Sequence, residues 1–128
     1  MFEELSNLHK KCFPNQPWSA DDFRDLKKSG CEIIMSQNGF IVWRNTVDKA
    51  EIITIGVNPE MRHQGIASAM VRIIEKDIKN QGVKKIFLKI TSTNESTQTL
   101  FKNLGYKTVN LQPEKHDKLD IITMKKDL

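Results

Sequence analysis

Residues 50–57, AEIITIGV, alternate like a β-strand, and the chain then runs through Pro59 and Gly65 into a helical pattern starting at Ala67. A strand feeding a helix through such a turn fixes where the backbone leaves the sheet. Pro59 has no N–H to give a ladder, so the strand has to end or splay before it. Gly56 beside Val57 marks a bulge or a position that a second backbone approaches closely. After Gly65 the apolar residues Ala67, Met70 or Val71, Ile74 and Ile78 recur at helical spacing until Gly82.

The flanking elements set the rest of the order. Leu5, Leu8 and Cys12 share one helical face, which the loop FPNQPW interrupts. Ser19 is placed to cap a second helix with Asp22 as capping-box partner, Phe23 and Leu26 face inward, and Gly30 closes it. The period then changes to two. CEIIMSQ and FIVWRNT flank Asn38-Gly39, a hairpin signal, and Val47-Asp48-Lys49 turns into AEIITIGV. KIFLKIT is a fourth strand, followed by a helix capped by Asn94 that buries Leu100, Phe101 and Leu104 and ends at Gly105. YKTVNL and DIITM finish as neighbouring antiparallel strands. The predicted order is α-α-β-β-β-α-β-α-β-β. It implies an α+β fold, a mixed and mostly antiparallel sheet covered by helices, in a single domain over 1–128.

The chain has 128 residues, 38% hydrophobic and 28% charged, ordinary for one globular domain with a core of its own. No stretch approaches the ~20 apolar residues of a membrane span, and the mixed charge of MFEELSNLHKKCF does not resemble a leader, so a cytoplasmic protein is expected. Cys12 and Cys31 form no motif and are expected as reduced, small apolar residues. With His9, His63 and His116 far apart, no metal site is expected. The net charge of +4 raises the possibility of a nucleic-acid partner. The lysines, however, are scattered in pairs (Lys10-Lys11, Lys27-Lys28, Lys84-Lys85, Lys125-Lys126), and no nucleic-acid module surrounds them. Solvated surface is the expectation.

The chemistry lies in Arg62-His63-Gln64-Gly65-Ile66-Ala67. Gly65 and the small Ala67 leave room for a phosphate at the helix N-terminus, where unsatisfied N–H groups and the helix dipole favour anions. Arg62 adds positive charge. R-x-x-G-x-A alone is also met in plain tight turns, and G-x-G-x-x-G and P-loop patterns are absent.

Taken together, the strand, Val57-x-Pro59, Arg62-x-x-Gly65-x-Ala67, the amphipathic helix and the next strand resemble the GCN5-related N-acetyltransferase superfamily. Within it the chain is most similar to the bacterial ribosomal-protein alanine N-acetyltransferases. FPNQPWSADDF resembles that branch's F-P-W-S segment, TSTNESTQTLFKNLGYK its S-N…A-L-Y…L-G-F segment, and DIITMKK its closing strand.

The resemblance implies splayed central strands that receive the pantetheine arm of acetyl-CoA. Main-chain groups of Ile55, Gly56 and Val57 would bond the arm, His63, Gln64, Gly65, Ile66, Ala67 and Ser68 would hold the pyrophosphate, and Asn94 would touch the arm from the far side. The acceptor implied is a primary amine, foremost a protein N-terminus such as that of a ribosomal protein. Apart from the resemblance, no direct nucleic-acid or membrane partner is expected, and a monomer is the default. Two other readings remain open, a small-molecule amine acetyltransferase and a non-catalytic acyl-CoA-binding sensor.

The branch's glutamate base and tyrosine acid fall here on Lys89 and Phe101, which can serve neither role. Glu51 precedes Gly65 at the spacing of the catalytic glutamate in the histone-lysine branch, and is the candidate base; the alternative is an ordinary strand charge paired with Lys89 across the sheet. Tyr106 is expected in the core, and His116 in the loop PEKHDKLD is a lesser candidate for base or substrate contact.

Overall fold

The computed structural model describes residues 1–113 and 120–128, so His116 lies outside the described residues. In chain order the elements are helices α1 (Phe2–Cys12) and α2 (Ala20–Lys28), strands β1 (Glu32–Met35), β2 (Gly39–Asn45) and β3 (Lys49–Val57), helix α3 (Ile66–Asn80), strand β4 (Lys85–Thr91), helix α4 (Glu95–Asn103), and strands β5 (Lys107–Pro113) and β6 (Asp120–Asp127). This is the order expected from the sequence, with a 3-10 turn at Pro59–Met61 added. The strands hydrogen-bond in the order β1-β2-β3-β4-β6-β5. β3 and β4 run parallel, while β1–β2, β4–β6 and β5–β6 are antiparallel. The parallel register includes the pairs from Lys49↔Lys85 to Ile52↔Leu88. Among the described residues no helix is long and apolar enough to cross a membrane.

The chain divides into two compact units, Met1–Arg44 with Ile53–Ile74, and Asn45–Ile52 with Glu75–Leu128. In the first, the expected capping box forms. Ser19 Oγ accepts from Asp22 N–H at 3.1 Å and Asp22 Oδ2 accepts from Ser19 N–H at 2.8 Å, an arrangement worth about 1 kcal/mol. Leu5, Leu8, Phe23, Cys31, Phe40 and Val42 form one apolar cluster. β2 is buried from Gly39 through Trp43, which is why FIVW has no polar alternation. His9 is 2% exposed; its Nδ1 accepts from Trp18 N–H at 3.1 Å and its ring stacks on Trp18 at 4.7 Å. The FPNQPW segment thus closes over a neutral imidazole. Cys12 and Cys31 are free thiols, half-buried and buried.

The β1–β2 hairpin turns one residue earlier than Asn38-Gly39. Ser36 N–H donates to Gly39 C=O at 2.8 Å and Met35 pairs with Phe40, so Gln37 and Asn38 form the tip. Gly39 already belongs to β2 and lacks a positive φ. It is glycine for space, since a Cβ there would stand 2.9 Å from Met70 Cε and 3.1 Å from Ile66 Cγ2.

In the second unit, β4 buries Ile86 and Leu88 and leaves Lys85 and Lys89 exposed. The Asn94 cap forms as expected, its Oδ1 accepting from Thr97 N–H at 3.2 Å. Phe101 of α4 is fully buried and meets Tyr106 edge-on at 4.9 Å.

Candidate active site

The loop from Val57 to Ser68 lies wholly in the first unit. As Pro59 requires, β3 ends at Val57. Asn58 then anchors the departing chain: its N–H donates to Asn38 C=O at 2.7 Å, and its Oδ1 accepts from Glu60 N–H at 3.2 Å to cap the 3-10 turn. A trans peptide sends the Val57 carbonyl opposite to the Asn58 N–H, hence away from β2. There it accepts from Arg62 Nε at 3.1 Å and from Cys12 Sγ at 3.3 Å. Burial pushes the Cys12 thiol pKa up, with Arg62 acting in the opposite sense. Arg62 therefore ties the turn to the end of the strand, besides carrying charge. Cys12 and Asn58 were not among the expected site residues. Cys12 comes from a helix 45 positions away, and no local pattern announces such a contact.

Two left-handed residues shape the loop itself. His63 has φ 66 and Gly65 has φ 80. For His63 this is an uncommon conformation, worth about 1 kcal/mol of strain or more. At Gly65 a Cβ would meet nothing within 4 Å, so the backbone angle rather than crowding requires glycine there. The first α-helical bond of α3 is Ala69 N–H to Gly65 C=O at 3.0 Å. The amides of Ile66, Ala67 and Ser68 precede it and have no intrahelical acceptor. Left-handed turns running into a helix start make a concave row of N–H donors with the positive end of the dipole behind it. Arg62, His63, Gln64 and Gly65 are exposed, while Ile66, Ala67 and Ser68 are half-buried. Such a cradle suits a phosphate-sized anion.

Gly56 sits beneath the β2 side chains. A Cβ on it would lie 2.7 Å from the Phe40 ring and 3.0 Å from Cys12 Sγ, so these two side chains leave no room for one. Ile55, the residue before it, is half-buried.

The remaining candidates belong to the second unit. Glu51 is half-buried on β3 with Phe87 of β4 as its Cα partner, whereas Lys89 is exposed and pairs in register with Thr123. Asn94 is the N-cap of α4. Tyr106 is 2% exposed and donates its hydroxyl to Glu75 Oε2 at 2.7 Å. Burial, reinforced by that carboxylate, holds the phenol protonated far above its usual range. Among the described residues, no group of three or more His, Cys, Asp or Glu is arranged to hold a metal ion.

Comparison with known proteins connects this geometry to an activity. The chain is 23% identical over 101 residues to the [ribosomal protein bS18]-alanine N-acetyltransferase of Escherichia coli (strain K12), covering 75% of this chain and 68% of that one. The crystal structure of the ribosomal-protein-S18-alanine N-acetyltransferase from Escherichia coli superposes with a TM-score of 0.84 at 18% identity, covering 98% of this chain and 86% of that one. A Bacillus subtilis acetyltransferase in complex with CoA gives a TM-score of 0.76 at 17% identity, covering 98% and 91%. At these identities the superpositions speak for the fold. The acetyltransferase (GNAT) family, in contrast, matches residues 2–106 directly, from the start of α1 through Tyr106 and across the whole loop. With most of its length inside that match, the chain belongs to the acetyltransferase (GNAT) family.

Proposed function

We propose that the protein transfers an acetyl group from acetyl-CoA to the α-amine of a protein N-terminus, acting as a monomer in the cytoplasm. The observation that carries this reading is the donor row at the head of α3, opened by His63 and Gly65 in left-handed conformations. A pyrophosphate would be held by the amides of His63, Gln64, Gly65, Ile66, Ala67 and Ser68, with Arg62 adding positive charge. The pantetheine arm would bond main-chain groups of Ile55, Gly56 and Val57, and Asn94 is a further proposed contact to the cofactor. The CoA held by the Bacillus subtilis acetyltransferase, and the ribosomal-protein alanine acted on by the Escherichia coli enzyme, support the donor and the acceptor respectively.

In the reaction the neutral amine nitrogen attacks the thioester carbonyl carbon. The C–S bond breaks, the amine loses a proton, and the leaving thiolate takes one up from solvent. A main-chain N–H near Val57 would stabilise the developing charge on the carbonyl oxygen. Glu51 is the proposed base. The base has a modest task when the acceptor is an α-amine, with a pKa near ~7.8 against ~10.4 for lysine, a difference of about 3.5 kcal/mol of deprotonation. Positioning can then supply most of the acceleration. Lys89, an exposed ammonium, and Phe101, a buried phenyl ring, add neither base nor acid, which favours this low-pKa acceptor over lysine. The same two residues favour a second reading, an acyl-CoA-binding sensor without turnover.

Calorimetric titration of acetyl-CoA into the full chain tests the donor. One-to-one binding is expected, weakened about tenfold or more by Gly65→Val, whose branched side chain resists the left-handed angle. No heat from the wild-type chain would remove the reading.

A further inference from the structure

The second unit gathers lysines that look scattered in the sequence. On β4 the alternation that buries Ile86 and Leu88 turns Lys85, Phe87 and Lys89 to the other face. Register then sets their company: Lys49 beside Lys85, Lys125 beside Phe87, and Lys107 beside Lys125. The pair Lys125-Lys126 is split by the same alternation. Lys126 reaches Glu75 at 3.2 Å, and Lys125 faces the opposite way. The irregularity between Thr108 and Asn110 leaves Val109 57% exposed. Lys49, Lys85, Phe87, Val109, Thr123 and Lys125 line a groove of about 270 Å³.

Like charges directly opposite one another on a sheet destabilise it, and Lys49↔Lys85 and Lys107↔Lys125 are two such pairs. The acids on this face among the described residues are Glu51, the Cα partner of Phe87, and Asp127, which lies 3.5 Å from Lys125 with its side chain 78% exposed. An ion pair that open contributes little and yields readily to a competing anion. The face is therefore complementary to a negatively charged partner. Its floor narrows the class of that partner. An acidic peptide would use the ammonium groups and leave the aromatic floor without a role. Lysine walls around an aromatic ring are the arrangement by which single-stranded nucleic acids are held without sequence preference, phosphates on the cations and a base on the ring.

We propose that this sheet face binds single-stranded nucleic acid, with phosphates on Lys49, Lys85 and Lys125 and one base against Phe87 and Val109. None of these residues belongs to the loop at the head of α3, while Glu51, the proposed base, shares the face as the Cα partner of Phe87.

Fluorescence anisotropy of a short labelled oligouridylate with the full chain tests it at several salt concentrations. Wild type should bind with a log–log salt slope of about −2, as expected for about three phosphate contacts to a single strand. Lys85→Gln with Lys125→Gln should weaken binding about tenfold and flatten the slope to about −0.7. Phe87→Leu should weaken it about fivefold or more through lost stacking. Lys10→Gln with Lys11→Gln, a charge-matched control on α1, should change it less than about twofold. Thermal melts establish that each variant is folded, and exposed Lys49→Gln replaces any that is not. No binding by the wild type, an equal loss in the α1 control, or equally effective competition by an oligoglutamate would each overturn the proposal. The last result would assign the face to an acidic peptide.

Discussion

Tyr106 donates its hydroxyl to Glu75 Oε2 at 2.7 Å while Lys126 Nζ reaches Oε1 of the same carboxylate at 3.2 Å. The Glu75 side chain is only 12% exposed, and these two partners satisfy one oxygen each of its carboxylate. Tyr106 is thereby a fixed donor inside the second unit and not a titrating acid. Tyr106→Phe should cost about 1–2 kcal/mol in urea denaturation and leave the acetyl-transfer rate within about twofold. A rate loss of about a hundredfold would instead make it the general acid.

The two glycines of the β2–β3 region should respond unequally to alanine. At Gly56 the added Cβ meets the ring of fully buried Phe40 at 2.7 Å, and the ring has little room to withdraw. A cost of about 2–3 kcal/mol is expected. At Gly39 the nearest atom is Met70 Cε at 2.9 Å, the free end of a flexible chain, and about 1 kcal/mol should suffice. Equal losses in denaturant titrations would contradict this assignment of the contacts.

His9 gives stability a pH dependence of known sign. Desolvation lowers its pKa, with Asp22 opposing. The folded value is therefore below the unfolded one, and above ~6.5 both states carry a neutral imidazole, so stability is complete. As pH falls through ~6.5 the unfolded chain takes up a proton that the folded chain refuses, and stability declines until the folded value is passed. Melting temperatures measured between about pH 7.5 and 5.5 should fall for wild type and be flatter for His9→Gln. An unchanged slope in the variant would rule out the imidazole as the source.

Glu51→Gln should lower kcat toward an N-terminal peptide by about a hundredfold below pH ~7, where the α-amine is largely protonated. The deficit should narrow as pH passes ~7.8, because the acceptor then arrives neutral. A rate equal to wild type at every pH would remove Glu51 as the base.

What could be foreseen from sequence depended on how local the cause was. The Ser19–Asp22 box and the Asn94 cap are bonds between side chains and backbone a few residues away, and both formed where their residue types predicted. The strand-loop-helix at Val57–Ser68 was legible for the same reason, since Pro59 and Gly65 act on their own backbone. The hairpin tip was misplaced by one residue because Gly39 answers to Met70 and Ile66, which are distant in sequence, and not to its own turn. His9 under Trp18, Cys12 against the Val57 carbonyl and the lysine face of β3–β4–β6–β5 depend on packing or register that no single segment encodes. Glu51 was identifiable as a strand acid at a suggestive spacing; its half-burial came from the fold, and its chemistry is a matter for kinetics.

Acetyl transfer to an α-amine is tested most directly by thiol release from acetyl-CoA in the presence of alanine- or serine-starting peptides, the same peptides with blocked N-termini and an internal lysine, and polyamines. Thiol release with the free N-terminal peptides, at least about tenfold faster than with the lysine peptides or polyamines at neutral pH, is the predicted result. Turnover confined to lysine or polyamine acceptors, or binding of acetyl-CoA with no turnover on any amine, would contradict it.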